Sequence, residues 1–128
     1  MATWLGNLIS VCVGASIGAS MRWGLSYWLN ERLPDFPLGT LLCNLIGGLA
    51  VGVALAVFLA QEWPEHVRLF VITGLLGGLT TFSTFSSEVS MLLLRQEYAL
   101  GFVLAATHLF GSLVLTIIGF MGVRWLMQ

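Results

Sequence analysis

The residues able to do chemistry in this 128-residue chain are few and mostly neutral. Catalysis needs a nucleophile with a base, paired carboxylates or a metal cluster, and none occurs at a useful spacing. His66 and His108 lie in different segments, and Glu88 is the single carboxylate well inside an apolar run. A haem or quinone subunit would offer paired intramembrane histidines, and His108 has no such mate. The pattern does not read as an enzyme. What it offers is hydrogen-bond donation: Asn44 carries amide N–H groups, Ser83, Thr84, Ser112 and Thr116 carry hydroxyls, and Phe82 and Phe85 have ring edges of positive partial charge. A row of neutral donors replaces the hydration shell of a small anion without the deep trap a buried arginine would make, and conduction requires sites weak enough to leave. A cation would prefer carbonyl or carboxylate oxygens, so these side chains favour the negative sign. An embedded carboxylate that serves as a shared proton and substrate site would instead define a proton-coupled small-ion or drug exporter. Glu88 keeps that alternative open.

Such donors need elements to hold them, and the composition says which. With 58% hydrophobic and 9% charged residues, the chain falls in the membrane class. Residues 1–21, 36–61, 69–87 and 98–123 are free of Asp, Glu, Lys and Arg, and a spanning helix needs roughly 20 mainly apolar residues. Four spans, expected over about 4–29, 38–60, 67–94 and 98–127, use up the chain as one four-helix domain, 1–128. The first run has no basic segment before it and no small-x-small site, which reads as a retained helix and not a cleaved leader. The net charge is −1 with five dispersed arginines and no lysine, so nucleic acid has no electrostatic footprint here. On alternating helices Arg68 and Arg124 fall on one side and Arg22, Arg32 and Arg95 on the other. Lys/Arg excess in short loops sets orientation, and so even a split permits insertion both ways and an antiparallel dimer.

Each span carries its own signal. Gly14 and Gly18, and again Gly48 and Gly52, have the four-residue spacing that lets helix backbones approach. Arg22 reads either as an interface arginine beside Trp23, Tyr27 and Trp28 or as a positive charge at an anion vestibule. The connector NERLPDFP (30–37) is turn-rich. Thr40 and Asn44 share a face of the second helix, where Asn44 either bonds another helix or donates to a permeating solute. Pro64 ends the second loop's helical continuation, and His66 beside it reads as solvated. The Gly74, Gly77 and Gly78 cluster predicts unwinding near the middle of the third helix. Carbonyls freed from Gly77 through Thr80 could clasp a cation where two chains cross, or the glycines could make a plain packing contact. Beyond them Phe82 and Phe85 face roughly the same way, and Glu88 is either functional or reaches the headgroups. On the last helix His108, Ser112 and Thr116 recur every fourth residue, as back-bonding groups or as one wall of a track. Cys12 and Cys43 read as small apolar packing residues.

The sequence GGLTTFSTFS (77–86), preceded by Thr73 and Gly74, resembles the signature of the small fluoride channels called Fluc or CrcB proteins. The similarity continues in GAxxGAxxRW (14–23), PxGTLxxNLxGG (37–48) and GSLxxTxxG (111–119). This resemblance implies an all-α, dual-topology, antiparallel homodimer of four-helix subunits in the bacterial inner membrane. It implies passive export of F⁻ through two pathways, with a broken third helix. A structural Na⁺ would sit at the dimer centre on the backbone carbonyls of Gly77 and Thr80, with no organic cofactor. Phe82 and Phe85 match the pore phenylalanines, Asn44 the second-helix asparagine, Ser83 and Thr84 the hydroxyls of the break, and Ser112 and Thr116 the polar track. Arg22 and Thr40 fall on the vestibule side, and Glu88 matches an acidic position after the motif. His108, a possible pathway residue, and Leu104 stand where members of the family vary.

Overall fold

The computed structural model describes residues 2–33 and 35–128. Pro34, one of the two prolines of the first connector, lies outside them. The chain is all-helical among the described residues, and four segments are long and apolar enough to cross a membrane: Thr3–Arg32, Leu38–Ala60, Glu65–Leu94 and Tyr98–Leu126. The first consists of helix α1 (Ala2–Leu29) and a 3-10 turn at Asn30–Arg32, and the second is helix α2 (Leu38–Ala60). The third is composite: α3 (Glu65–Arg68), a wide π-helical stretch (Leu69–Leu76), α4 (Gly77–Leu79) and α5 (Phe82–Leu94), and the fourth is α6 (Tyr98–Leu126).

Two close helix pairs make the bundle. In the first, α1 lies against the π-helical stretch and α4. A Cβ on Gly14 would strike the Phe70 carbonyl, one on Gly18 the Leu75 carbonyl, and ones on Gly74 and Gly78 the backbone of Val11 and Ala15. The glycines of the third span therefore face those of α1, backbone to backbone. In the second pair α2 lies against α6, where a Cβ on Gly52 would strike the Thr116 carbonyl and one on Gly119 the Leu49 carbonyl. Without a hydrophobic force between helices in lipid, such close contact is what drives their association. The two pairs meet around Cys43, Ala54, Leu76 and Leu79, the buried core. Cys43 packs there as a small apolar residue, while Cys12 is exposed.

The third span changes partner partway along. Its first half packs on α1, and α5 packs on α6. Between the halves, Thr80 (φ −82°, ψ 155°) and Thr81 (φ −149°, ψ 125°) are extended. The expected unwinding at Gly74, Gly77 and Gly78 is corrected by one turn: Gly74 lies in the π-helical stretch, Gly77 and Gly78 are in α4, and no glycine among the described residues has a positive φ. Gly74 and Gly78 serve close approach to α1. The extended residues are β-branched threonines, which tolerate that conformation well.

Gly18→Val and Gly52→Val therefore force backbone apart and are expected to destabilise the subunit by about 1–3 kcal/mol or more. Gly122→Val, where a Cβ meets nothing within 4 Å, is expected to leave the thermal unfolding midpoint of the detergent-purified protein unchanged. Equal midpoints for all three variants would contradict the packing described.

Candidate functional site

Two extended residues near the middle of a spanning segment leave peptide groups that need partners, because an unpaired one in hydrocarbon costs several kcal/mol. Asn44 of α2 supplies them. Its Nδ2 donates to the Thr81 carbonyl at 2.9 Å, and its Oδ1 accepts from the Thr81 N–H at 2.8 Å. The side-chain amide thus pairs with the extended backbone as a neighbouring strand would. Thr81 then restarts the helix: its Oγ1 accepts from the Thr84 N–H at 3.1 Å, an N-cap of the usual kind. Its hydroxyl also lies 3.1 Å from Thr84 Oγ1 and 3.3 Å from Ser83 Oγ.

These diversions have a consequence for the carbonyls before the break. In an uninterrupted helix the Thr81 N–H would bond the Gly77 carbonyl and the Thr84 N–H the Thr80 carbonyl, four residues back. Both N–H groups donate to side chains instead. The Gly78 carbonyl accepts from Arg22 Nε at 3.1 Å. Arg22 thus serves a freed peptide group, a use that neither sequence reading of it included.

A cavity of about 850 Å³ adjoins the break between α2, α5 and α6. Asn44, Thr80, Thr81, Phe82, Phe85, His108, Ser112 and Thr116 are among its lining residues. Phe82 is 78% exposed and meets Phe85 edge-on, with ring centroids 5.6 Å apart. Phe85 in turn stacks on His108 at 4.6 Å. The stripe on α6 faces α2: the Ser112 hydroxyl points at the Asn44 carbonyl at 3.4 Å, and Thr116 Oγ1 lies 2.9 Å from the Gly48 carbonyl and 2.8 Å from that of Ser112. These hydroxyls donate to backbone carbonyls of α2 and α6 within the subunit.

The remaining sequence candidates lie off this wall. Ser83 and Thr84 stand around the Thr81 cap. Thr40, fully buried, donates to Glu88 Oε1 at 2.6 Å and accepts from Asn30 Nδ2 at 3.3 Å. Asn30 Oδ1 accepts from the Gly39 N–H at 2.7 Å and so caps the start of α2. Glu88 is held by Thr40 and does not reach out of the bundle; its Oε2 is buried without a partner among the described residues. Leu104 is fully buried. Residue-by-residue reading missed Thr81 and Asn30. The spacing Thr81-x-x-Thr84 ahead of a hydrophobic run is a helix-start signal, but it stands in a row of hydroxyls that all resemble it.

Four spanning helices with a side-chain-supported interruption and a largely apolar cavity beside it define a small multi-pass membrane protein, with no catalytic constellation among the described residues. The family model described as CrcB-like protein, Camphor Resistance (CrcB), matches residues 9–120, and the chain belongs to this family. It is 52% identical over 122 residues to the fluoride-specific ion channel FluC of Nitrosospira multiformis, covering 94% of this chain and 95% of that one. Identity to the FluC of Albidiferax ferrireducens is 54% over 114 residues, covering 88% and 87%. For the FluC of Acinetobacter baylyi it is 45% over 122 residues, covering 95% and 97%.

The Thr81 cap gives a direct test. Thr81→Val keeps the branched shape and loses the acceptor, and is expected to cost about 1 kcal/mol; Thr81→Ser retains it. Equal unfolding midpoints of the two variants would remove the cap from the account. Asn44→Leu is expected to cost more, since it leaves the Thr81 N–H buried without an acceptor and takes the second donor from its carbonyl.

Proposed function

We propose that this protein is a passive, fluoride-selective channel that carries F⁻ out of a bacterial cell across its inner membrane, relieving the accumulation of the ion in acidic surroundings. The observation that carries the reading is the side-chain-supported break at Asn44–Thr81, beside which a largely apolar cavity gathers the Phe82 and Phe85 rings with Asn44, Ser112 and Thr116. The FluC relatives, similar over almost the whole chain, supply the ion. Asn44, Phe82, Phe85, Ser112 and Thr116 form the pathway beside the break, Ser83 and Thr84 contribute hydroxyls at the start of α5, and Arg22, Thr40 and Glu88 belong to the approach.

The working unit is an antiparallel homodimer of dual topology with two pathways, embedded in lipid. Three features support this: the near balance of the arginines, the 78% exposure of Phe82 in the isolated subunit, and the exposed position of Gly77 on α4. A structural Na⁺ at the dimer axis fits the donor set. The Gly77 and Thr80 carbonyls have lost their helical N–H partners to Asn44 and Thr81, and hard cations take oxygen ligands of this kind. Bound there, the ion would neutralise the carbonyl ends of the two crossing spans.

Purified protein in liposomes, read with a fluoride electrode, tests the function: F⁻ efflux without Cl⁻ efflux and without a pH gradient is expected. No F⁻ efflux, or equal loss of Cl⁻, overturns the assignment, and strict dependence on a proton gradient would restore the exporter alternative. Phe82→Ile and Phe85→Ile are each expected to lower efflux by at least about tenfold with the dimer intact. Near-normal flux in both would take the phenylalanines out of the pathway. Gly77→Val has ordinary space within the subunit, the nearest atom to a Cβ being the Ile72 carbonyl oxygen at 3.6 Å. It is expected to leave the subunit folded and to weaken dimer assembly on a sizing column, and an unaltered dimer would count against the axial ion site.

A further inference from the structure

Asn30 stands in the 3-10 turn that follows α1, and its side chain reaches the start of α2. The Gly39 and Thr40 N–H groups lie 2.7 and 3.3 Å from Asn30 Oδ1. A backbone N–H only donates, so the amide oxygen faces both and the orientation of the group is fixed. The residue at position 39 has to be glycine for the two ends to meet, since a Cβ there would strike the Leu25 carbonyl, Ser26 Cα and Asn30 Oδ1. The other end of the amide, Nδ2, then points at Thr40 Oγ1 from 3.3 Å. An amide nitrogen also only donates, so the Thr40 oxygen accepts there and its single proton must leave in another direction. Glu88 Oε1 lies 2.6 Å away, and Thr40 is fully buried, so no solvent competes for that proton. Two backbone N–H groups on α2 thus set the direction of a hydrogen bond to α5.

Capping α2 requires only the oxygen, and aspartate or serine would cap as well. What asparagine adds is the donor at its other end. Glu88 Oε2 has no partner among the described residues, so the Thr40 hydroxyl makes the one hydrogen bond that holds this carboxyl in place. Glu88 stands three residues beyond Phe85 and shares its face of α5. A carboxylate free to swing along that face would repel an anion on its way to the phenylalanines. We propose that Asn30 is a positioning residue for fluoride passage: by fixing the direction of the Thr40 hydroxyl it keeps the Glu88 carboxyl drawn into the bundle and off the approach to Phe85. Asn30 itself touches no ion. It ties the end of α1 to the start of α2 with one atom and governs a charge on α5 with another. This inference rests on the channel reading above.

Asn30→Asp separates the two roles. It keeps the oxygen that accepts from the Gly39 and Thr40 N–H groups and sets an acceptor where the donor stood, so the Thr40 proton turns from Glu88 to the new carboxylate. In liposomes containing the full-length variant, F⁻ efflux is expected to fall about fivefold, the worth of one hydrogen bond, with the dimer and the unfolding midpoint retained. In a Glu88→Gln background the same substitution is expected to change efflux by less than about twofold. A loss that persists in that background belongs to the cap or to the added charge and overturns the proposal, as does unchanged efflux with Glu88 present. Should Asn30→Asp fail to assemble, or Glu88→Gln abolish efflux by itself, the unaltered residue decides. The chain has asparagine at positions 7, 30 and 44, and ¹⁵N-asparagine labelling in lipid resolves their side-chain amides. The Asn30 amide resonance is expected to shift in Glu88→Ala, which takes away the acceptor of the Thr40 proton; an Asn30 amide indifferent to that substitution overturns the inference. Efflux from the parent protein separates the two levels: intact F⁻ efflux that is insensitive to Asn30→Asp removes only the role of Asn30, whereas absence of F⁻ efflux from the parent removes the channel reading beneath it.

Discussion

A peptide group in the middle of a bilayer has no water to bond if its helix stops, and the paired hydrogen bonds between Asn44 and Thr81 are what allow the third span to stop and start again there. The bond to the N–H replaces the one a continuous helix would have made to Gly77, and the carbonyl at the head of α5 gains a second donor. The change of packing partner from α1 to α6 depends on that interruption. So do the position of Phe82 and Phe85 beside the cavity and the release of the Gly77 and Thr80 carbonyls.

The glycines make the interruption affordable in a different way from the one their cluster suggests. Gly14, Gly18, Gly74 and Gly78 bring α1 and the third span into backbone contact, and Gly47 leaves room for the Thr80 methyl group, which a Cβ there would strike. The close approach also brings Arg22 within reach of the Gly78 carbonyl. An arginine at that depth is expensive unless it finds a partner, and a carbonyl without its helical N–H is equally in need of one. Each resolves the other's deficit.

Most of the architecture was legible because its causes are local or periodic. Charges delimit the spans, and Gly14/Gly18 and Gly48/Gly52 announce close contacts by spacing alone. Thr40 and Asn44, four residues apart, do share a face and both contact the third span. What stayed hidden depends on partners distant in the chain. Nothing within the third span says that Thr81 will bond a residue 37 positions earlier or that Gly78 will be met by Arg22, 56 positions away. Glycine clusters permit both unwinding and close packing, and only the neighbouring helix decides between them. The polar stripe of α6 shows the same ambiguity: Ser112 and Thr116 rest on carbonyls of α2, while His108, with the same spacing, has a ring nitrogen left over. Periodicity places the three on one face and cannot distinguish a satisfied group from an unsatisfied one.

In the function proposed above, the break would let one stretch suit ions of opposite sign. A helix terminus carries partial negative charge on its unpaired carbonyls and partial positive charge on its unpaired N–H groups. Interrupting a helix in mid-membrane creates one terminus of each kind within a few residues: α4 ends in the carbonyls of Gly77 to Thr80, and α5 begins beside the cavity at Phe82. The side chains reinforce this separation. Asn44 and Thr81 take N–H groups away from the Gly77 and Thr80 carbonyls, leaving oxygen for the cation proposed above, and the largely apolar cavity on the other side carries the Phe82 and Phe85 rings with a few amide and hydroxyl groups. In the channel proposed above, a cation on these carbonyls would lower the cost of an anion passing nearby without sharing a ligand with it. Arg22, held on the Gly78 carbonyl, keeps its full charge beside the carbonyl side of the break and so adds to the separation of charge across it.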